Sequence, residues 1–335
     1  MLKVFTAFSG YDSQCMALDR IGAEYELVGW SEVDKSAIKA HDAVYPQWTG
    51  RNFGDICRVN WDAVPEFDFF TYSFPCQAIS IMGKMKGLEK GSGTTSSLLW
   101  ECERAVESKR PKYLVMENVP ALLSDRFAGP LGKWRRTLEG LGYSSFVRIL
   151  DARDYGVPQS RRRVFMVSVL GCREPYHFPA PAGRTGRLSD FLDKDAEEHF
   201  YVRKPRYGRL LGMLGSDEVR MAKGRLVVLD CYGGTANEDH FPTILTTVKS
   251  SCNHYVMEPP PGGLRYPTPR ECLRLMGVSE ADMGRMLEAG LSEAALYRLA
   301  GNSIVVDVLA AVLRKLLVDP GPEEGEQMEL PMEAP

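Results

Sequence analysis

Two hydrophobic rhythms alternate along the first half of the chain. Short apolar runs occupy Lys3–Phe8, Tyr25–Trp30, Phe67–Tyr72, Tyr113–Met116, Ser145–Leu150 and Val164–Val169. Their length, their β-branched and aromatic content and the turn residues beside them predict strands. Between them, apolar positions recur at helical spacing over Gln14–Ile21, Lys35–Val44, Leu98–Glu107 and Gly132–Leu141. Strands alternating with helices predict a parallel sheet covered on both faces. The predicted fold class is α/β, a doubly wound and mostly parallel sheet.

After Gly171 the rhythm changes. Periodic segments shorten over 172–262, turn residues multiply and arginines cluster. The run Pro259-Pro260-Pro261-Gly262-Gly263 is a strong breaker and reads as a boundary. Helical spacing returns over Pro269–Met276 and Ser303–Leu317. The expected division is a sheet domain over 1–188 and 297–318, a small inserted domain over 189–262, and a connecting segment over 263–296. A disordered tail is expected over 319–335.

Composition alters this picture at two points. The chain has 335 residues, 44% hydrophobic and 25% charged, which excludes disorder over most of its length. No purely apolar run approaches the ~18 residues of a membrane span, and Met1–Gly10 carries no signal-peptide pattern. The eight cysteines form no C-x-x-C pair and the five histidines do not join them, so no metal site is expected. Apart from Cys76, the cysteines read as small buried residues of a protein in a reducing cytoplasm. A net charge of −3 leans away from a polyanionic partner. The distribution reverses that lean. Six acids and no base lie in 319–335, and without them the balance is +3. Between Arg203 and Arg225, seven bases oppose only Asp217 and Glu218.

The candidate chemistry sits at predicted strand ends, where doubly wound sheets bind ligands. Glu32 closes the second strand and can accept hydrogen bonds from ribose hydroxyls; Asp55 can meet an adenine amino group. Cys76 follows a strand in Pro75-Cys76-Gln77 and precedes a Gly-, Ser- and Lys-rich stretch, 78–97. A nucleophilic thiolate beneath a closing loop fits that pattern. Glu117 ends another strand. Alternation at the entry to the last strand places Arg161 and Arg163 on one face, for a substrate or for the Glu117 carboxylate.

In order, Phe8-Ser9-Gly10, Pro75-Cys76-Gln77, Glu117-Asn118-Val119, Gln159-x-Arg161-x-Arg163, Arg265–Gly277 and Gly301-Asn302-Ser303 resemble the motifs of the C5-cytosine DNA methyltransferases. The resemblance covers nearly all of residues 1–318. It implies an S-adenosylmethionine-dependent methyltransferase fold, with the insertion over 189–262 as target-recognition domain. It implies methyl transfer to C5 of a cytosine flipped out of a short duplex DNA sequence. Cys76 would attack C6, Glu117 would hold N3, and Arg163 with Arg161 would bind O2. Phe8, Gly10, Glu32, Asp55, Ile56, Pro75, Asn302 and Ser303 would hold S-adenosylmethionine and its product S-adenosylhomocysteine. Gln77, Ser80, Asn118, Gln159, Arg203, Arg206, Arg209, Thr243, Thr246 and Arg270 would contact the DNA or the flipped base.

Two positions depart from the family's pattern. Asp12 and Ser13 stand where further glycines are usual, and Val33 stands where many members carry an aromatic residue. The implied partners are double-stranded DNA and a separately acting restriction endonuclease, with no membrane. The protein would act as a monomer on DNA in the cytoplasm of a bacterial or phage-infected cell. A tRNA cytosine-5 methyltransferase and a non-catalytic DNA-binding relative are the alternatives on the same residues. A nicotinamide-dependent oxidoreductase fits only the strand-end acids.

Overall fold

Strands β1 (Leu2–Ala7), β2 (Tyr25–Ser31), β3 (Phe69–Tyr72), β4 (Tyr113–Asn118), β5 (Tyr143–Asp151) and β6 (Arg162–Leu170) form one sheet in the order β2-β1-β3-β4-β6-β5. The computed structural model describes residues 1–76, 79, 87–183, 186–202, 212, 226–230, 234–247, 254–259 and 262–320. β1 pairs in parallel with β2 and β3, and β3 with β4, whereas β6 runs antiparallel to β4. Val4, Phe5, Phe69, Phe70, Leu114 and Met116 are all buried, so the central strands are covered on both faces. Helices α1 (Ser13–Arg20), α2 (Lys35–Val44), α3 (Leu99–Lys109) and α4 (Asp125–Gly140) connect them. From β1 the chain steps to β2 on one side and then to β3 on the other. This reversal opens a crevice at the carboxyl ends of β1 and β3.

Aromatic packing fixes the sheet. The Phe5 ring lies 5.2–6.0 Å from those of Phe53, Trp61, Phe67 and Phe70, within the range of favourable ring pairs. Trp134 of α4 meets Tyr72 and Trp100 edge-on at 6.0 Å. α4 starts at Asp125, seven residues before the expected Gly132, because it accommodates Pro130 within the helix.

The chain divides into two compact units. One comprises 1–150, 162–180 and 308–335; the other comprises 151–161 and 181–307. The second unit has its own antiparallel sheet of β7 (Val227–Asp230), β8 (Thr235–Asn237), β9 (His254–Met257) and β10 (Leu264–Arg265), in the order β10-β9-β7-β8. Leu264 pairs with Met257 and Arg265 with Val256. β9 and β10, on either side of the Pro-Gly run, therefore both lie in this unit. Helix Glu280–Glu288 and the start of Glu293–Asn302 fall within the stretch read as a connector, with Ser279 and Ser292 as their side-chain caps.

One segment is long and apolar enough to cross a membrane by length and composition alone. Glu293–Leu317 has 25 residues and a mean hydropathy of 1.5, yet 67% of its most apolar window is buried within the protein. Ser303–Val305 breaks it into two helices.

Candidate active site

Strand register brings the candidate residues of the first unit to one edge of the sheet. Ala7 is level with Ser31 and Tyr72, and Tyr72 with Met116. The segments that follow β1, β2 and β3 carry Phe8 and Gly10, Glu32 and Cys76, and Glu117 lies near the end of β4 beside them in register, next after Met116. Antiparallel β6 enters at this same edge, where Asn118 faces Val164, and so brings Arg163 there.

The loop after β1 is held in an unusual conformation. Phe8, Gly10 and Asp12 have φ of 55°, 60° and 68°. A left-handed phenylalanine costs about 1–3 kcal/mol and persists only where its surroundings enforce it. Asp12 shows how the loop forms without the family's further glycines. Aspartate tolerates the left-handed region better than most residues. Its wholly buried carboxylate caps α1 through the Cys15 N–H (3.2 Å), accepts from the Thr6 hydroxyl (2.9 Å) and lies 3.5 Å from His41 Nε2. An aspartate just before a helical period is an N-cap signal, and Asp12 stands in that position.

Glu32 ties the first loop to the second. Its Oε1 accepts the N–H groups of Val33 (2.7 Å) and Asp34 (2.9 Å), while Oε2 accepts the Gly10 N–H (3.0 Å). Each carboxylate oxygen can accept two hydrogen bonds, so Oε2 retains room for a hydroxyl. Val33 is 66% exposed beside it. Asp55 caps the turn Ile56–Arg58 through the Cys57 N–H and keeps a half-exposed carboxylate, whereas Ile56 is buried.

Cys76 is half-buried against the main core and is not disulfide-bonded. It differs from Cys15 and Cys102, whose complete burial pushes their thiols well above the usual range. The expectation that the remaining cysteines are buried fails at Cys57, which is exposed, and at Cys172, which is partly so. Cys231, Cys252, Gln77, Ser80, Arg203, Arg206 and Arg209 lie outside the described residues.

The two arginines of the Gln159-x-Arg161-x-Arg163 motif part company. Arg163 Nε lies 3.2 Å from Glu117 Oε1, and its Nη1 donates to the Arg162 carbonyl. Its Nη2 has no protein acceptor among the described residues. Arg161 precedes β6, so strand alternation does not govern it. It is 3% exposed and donates to the carbonyls of Ile244 (3.1 Å), Gly301 (2.9 Å) and Ser303 (2.7 Å), all in the second unit.

Around Arg161 the other motif residues of the second unit interlock. Gln159 is wholly buried, donating to the Leu275 carbonyl and accepting from the Ile244 N–H. Thr243 donates to the Ser160 carbonyl at 2.5 Å. A Cβ on Gly301 would come within 2.5 Å of the Thr246 nitrogen, so only glycine permits that approach. Asn302 ends its helix and Ser303 caps it. Arg270 is exposed and paired with Glu280 at 2.6 Å. In the first unit Asn118 is 2% exposed, with its amide donating to the Phe74 carbonyl. Burial and internal hydrogen bonding therefore give Asn118 and Gln159 structural positions rather than the DNA-facing ones expected.

A family model for C-5 cytosine-specific DNA methylases matches residues 2–317. The chain belongs to this family. The type II methyltransferase M2.ScrFI of Lactococcus lactis subsp. cremoris is 33% identical, over 94% of this chain and 99% of the relative. M.HhaI of Haemophilus parahaemolyticus is 30% identical over 92% of each, and the orphan methyltransferase M.SssI of Spiroplasma monobiae 29% identical over 94% and 97%. Among solved structures, Schizosaccharomyces pombe Dnmt2 superposes with a TM-score of 0.72 at 18% identity, covering 96% of this chain and 99% of that one, which shows the shared fold. The protein is a DNA (cytosine-5-)-methyltransferase. Its sheet edge presents a thiol, an arginine-paired carboxylate and a second carboxylate, Glu32, that accepts the Gly10 N–H of the left-handed loop.

Proposed function

We propose that this methyltransferase methylates C5 of a cytosine flipped out of duplex DNA, with Cys76 as nucleophile and S-adenosylmethionine as donor. The observation that carries the reading is Arg163. One guanidinium nitrogen meets Glu117 while Nη2 has no protein acceptor among the described residues, so one side chain can orient the carboxyl and receive a carbonyl oxygen.

Cytosine C5 is a poor nucleophile. Bond formation between Cys76 Sγ and C6 moves the ring electrons toward N3, where the Glu117 carboxyl delivers a proton. Arg163 holds cytosine O2 through Nη2 and keeps Glu117 aligned through Nε. The ring then carries enamine character at C5. When bound, S-adenosylmethionine supplies the electrophilic methyl group that C5 takes. Loss of the C5 proton to a base, return of the N3 proton to Glu117 and cleavage of the C6–S bond restore the ring and return the Cys76 thiolate.

The residues present fit that donor. An added Cβ on Gly10 meets nothing within 4 Å, so the loop has open space in front of it. Glu32 Oε2 and the Asp55 carboxylate accept hydrogen bonds from ribose hydroxyls and an adenine amino group. Val33 offers an exposed apolar surface where a ring can rest. Arg161, Gln159 and Thr243 act by shaping the second unit.

The partner is double-stranded DNA, bound by a monomer in the cytoplasm of a bacterial or phage-infected cell. A type II role adds an endonuclease of the same recognition sequence. Incubation with methyl-labelled S-adenosylmethionine and mixed-sequence duplex DNA tests the reading. Label at C5 of cytosine is expected. Folded protein that leaves the duplex unlabelled, or labels transfer RNA instead, contradicts it.

A further inference from the structure

The turn that carries Cys76 lies beyond the end of β3 at Tyr72, so its carbonyls have no sheet partner. Three of them are nonetheless engaged. Asn118 Nδ2 donates to the Phe74 carbonyl at 3.0 Å, Ser96 Oγ donates to the Pro75 carbonyl at 2.6 Å, and the Ile79 N–H donates to the Cys76 carbonyl at 3.0 Å. Two of these donors are buried side chains from distant segments: Asn118 at the end of β4, and Ser96 just before α3, 21 residues beyond Pro75. Ser96 is itself well placed. It follows the Thr94 cap of a short turn and is wholly buried. Pro75 restricts the backbone of Phe74 to extended conformations, and Phe74 is anchored in the core. With the Pro75 and Cys76 carbonyls both held, the rotation at the Cys76 Cα, and so the direction of its Cα–Cβ bond, is set.

We propose that Ser96 is a positioning residue for the methyl-transfer reaction: its hydroxyl holds the Pro75 carbonyl and thereby aims the Cys76 thiol at cytosine C6. Ser96 acts through the backbone and touches neither cofactor nor base. The inference rests on Cys76 being the nucleophile. Its consequence is specific. Loosening the turn slows attack, because nucleophilic addition depends steeply on the placement of the attacking atom. Binding of cofactor by the loops after β1 and β2 is untouched.

The test compares wild type, Ser96→Ala and Ser96→Thr. Each is mixed with excess mixed-sequence duplex DNA containing 5-fluorocytosine, plus S-adenosylmethionine. Fluorine cannot leave C5 as a proton, so the covalent complex accumulates and its rate of formation can be timed. Ser96→Ala is expected to form it about tenfold more slowly. Its affinity for S-adenosylhomocysteine should stay at the wild-type value, its unfolding midpoint should fall by no more than the loss of one buried hydrogen bond accounts for, and Ser96→Thr should recover most of the rate. Because Thr adds a methyl group to a buried site, alanine decides the matter if the threonine variant does not fold. An alanine variant that forms the complex at the wild-type rate overturns the proposal. So does one whose slower rate is matched by an equal loss of S-adenosylhomocysteine affinity and a lower midpoint, since that marks a merely structural residue. Wild-type protein that forms no complex at all would instead refute the reading of Cys76.

Discussion

Two arginine–carboxylate pairs, one in each unit, show what separates a scaffold from a reactive group. In the second unit, Arg265 and Glu271 are wholly buried. Arg265 places all five N–H donors: Nε on Glu258, Nη1 on Glu271 and the Tyr266 carbonyl, and Nη2 on Glu271 and the Asp193 carbonyl. Glu271 accepts four hydrogen bonds in return, two from Arg265 and one each from the N–H groups of Asp193 and Thr268. In the first unit, Arg163 and Glu117 keep 17% and 9% of their side chains exposed, and their closest approach is Nε to Oε1 at 3.2 Å. The saturated pair has nothing left to offer a substrate. The open pair holds geometry with one nitrogen and has another to spend.

That contrast breaks if both pairs respond alike to mutation. Glu117→Gln should lower the methyl-transfer rate by about 10²–10⁴-fold, the range of general acid–base groups, with little change in unfolding midpoint. Steady-state rates and calorimetry measured together check it. Glu271→Gln should do the opposite. Removing one partner of a buried ion pair costs about 3–5 kcal/mol, so the midpoint should fall, while S-adenosylhomocysteine affinity, carried chiefly by Glu32 and Asp55 of the first unit, should change little. A catalytic collapse in Glu271→Gln with normal stability would erase the distinction.

A smaller effect sharpens it within the first unit. Asp12→Ala removes a helix cap worth about 1 kcal/mol, and it also strains the left-handed turn. S-adenosylhomocysteine affinity should fall in titration calorimetry, and Asp12→Gly should recover more of it than Asp12→Ala.

The smallest effect belongs to His254 in β9. Burial lowers its protonation tendency, and the Asp230 carboxylate 3.6 Å away only partly offsets this. The folded form thus binds a proton less readily than the unfolded chain. Stability contributed by neutral His254 is fully present above about pH 6.5 and declines as pH falls from there toward the lowered folded value. The unfolding midpoint should drop between pH 7 and the mildly acidic range, and less so in His254→Gln.

How much of this was legible in the sequence follows from what each feature depends on. β1 to β4 were legible because doubly covered strands are locally apolar, and Glu32, Cys76 and Glu117 stood out as reactive groups just past such runs. Arg161 was misread because alternation was extended one residue beyond the strand; its carbonyl partners lie 83 to 142 positions away. The 259–263 run breaks a helix or strand in either setting, and its sequence does not reveal that β9 and β10 pair across it. Helices Glu280–Glu288 and Glu293–Asn302 carried a signal that went unused, a serine cap before each. The Arg265 network joins Asp193, Glu258 and Glu271, and only Thr268-x-x-Glu271 within it is a local pattern, a capping box.

The central claim is that Cys76 performs the attack at this sheet edge. The most direct measurement is mass spectrometry of peptides from the wild-type protein trapped on duplex DNA containing 5-fluorocytosine. The account predicts that the modified nucleotide is carried by Cys76 and that Cys76→Ser forms no trapped complex. A nucleotide attached to another residue, or trapping that persists in Cys76→Ser, would contradict it.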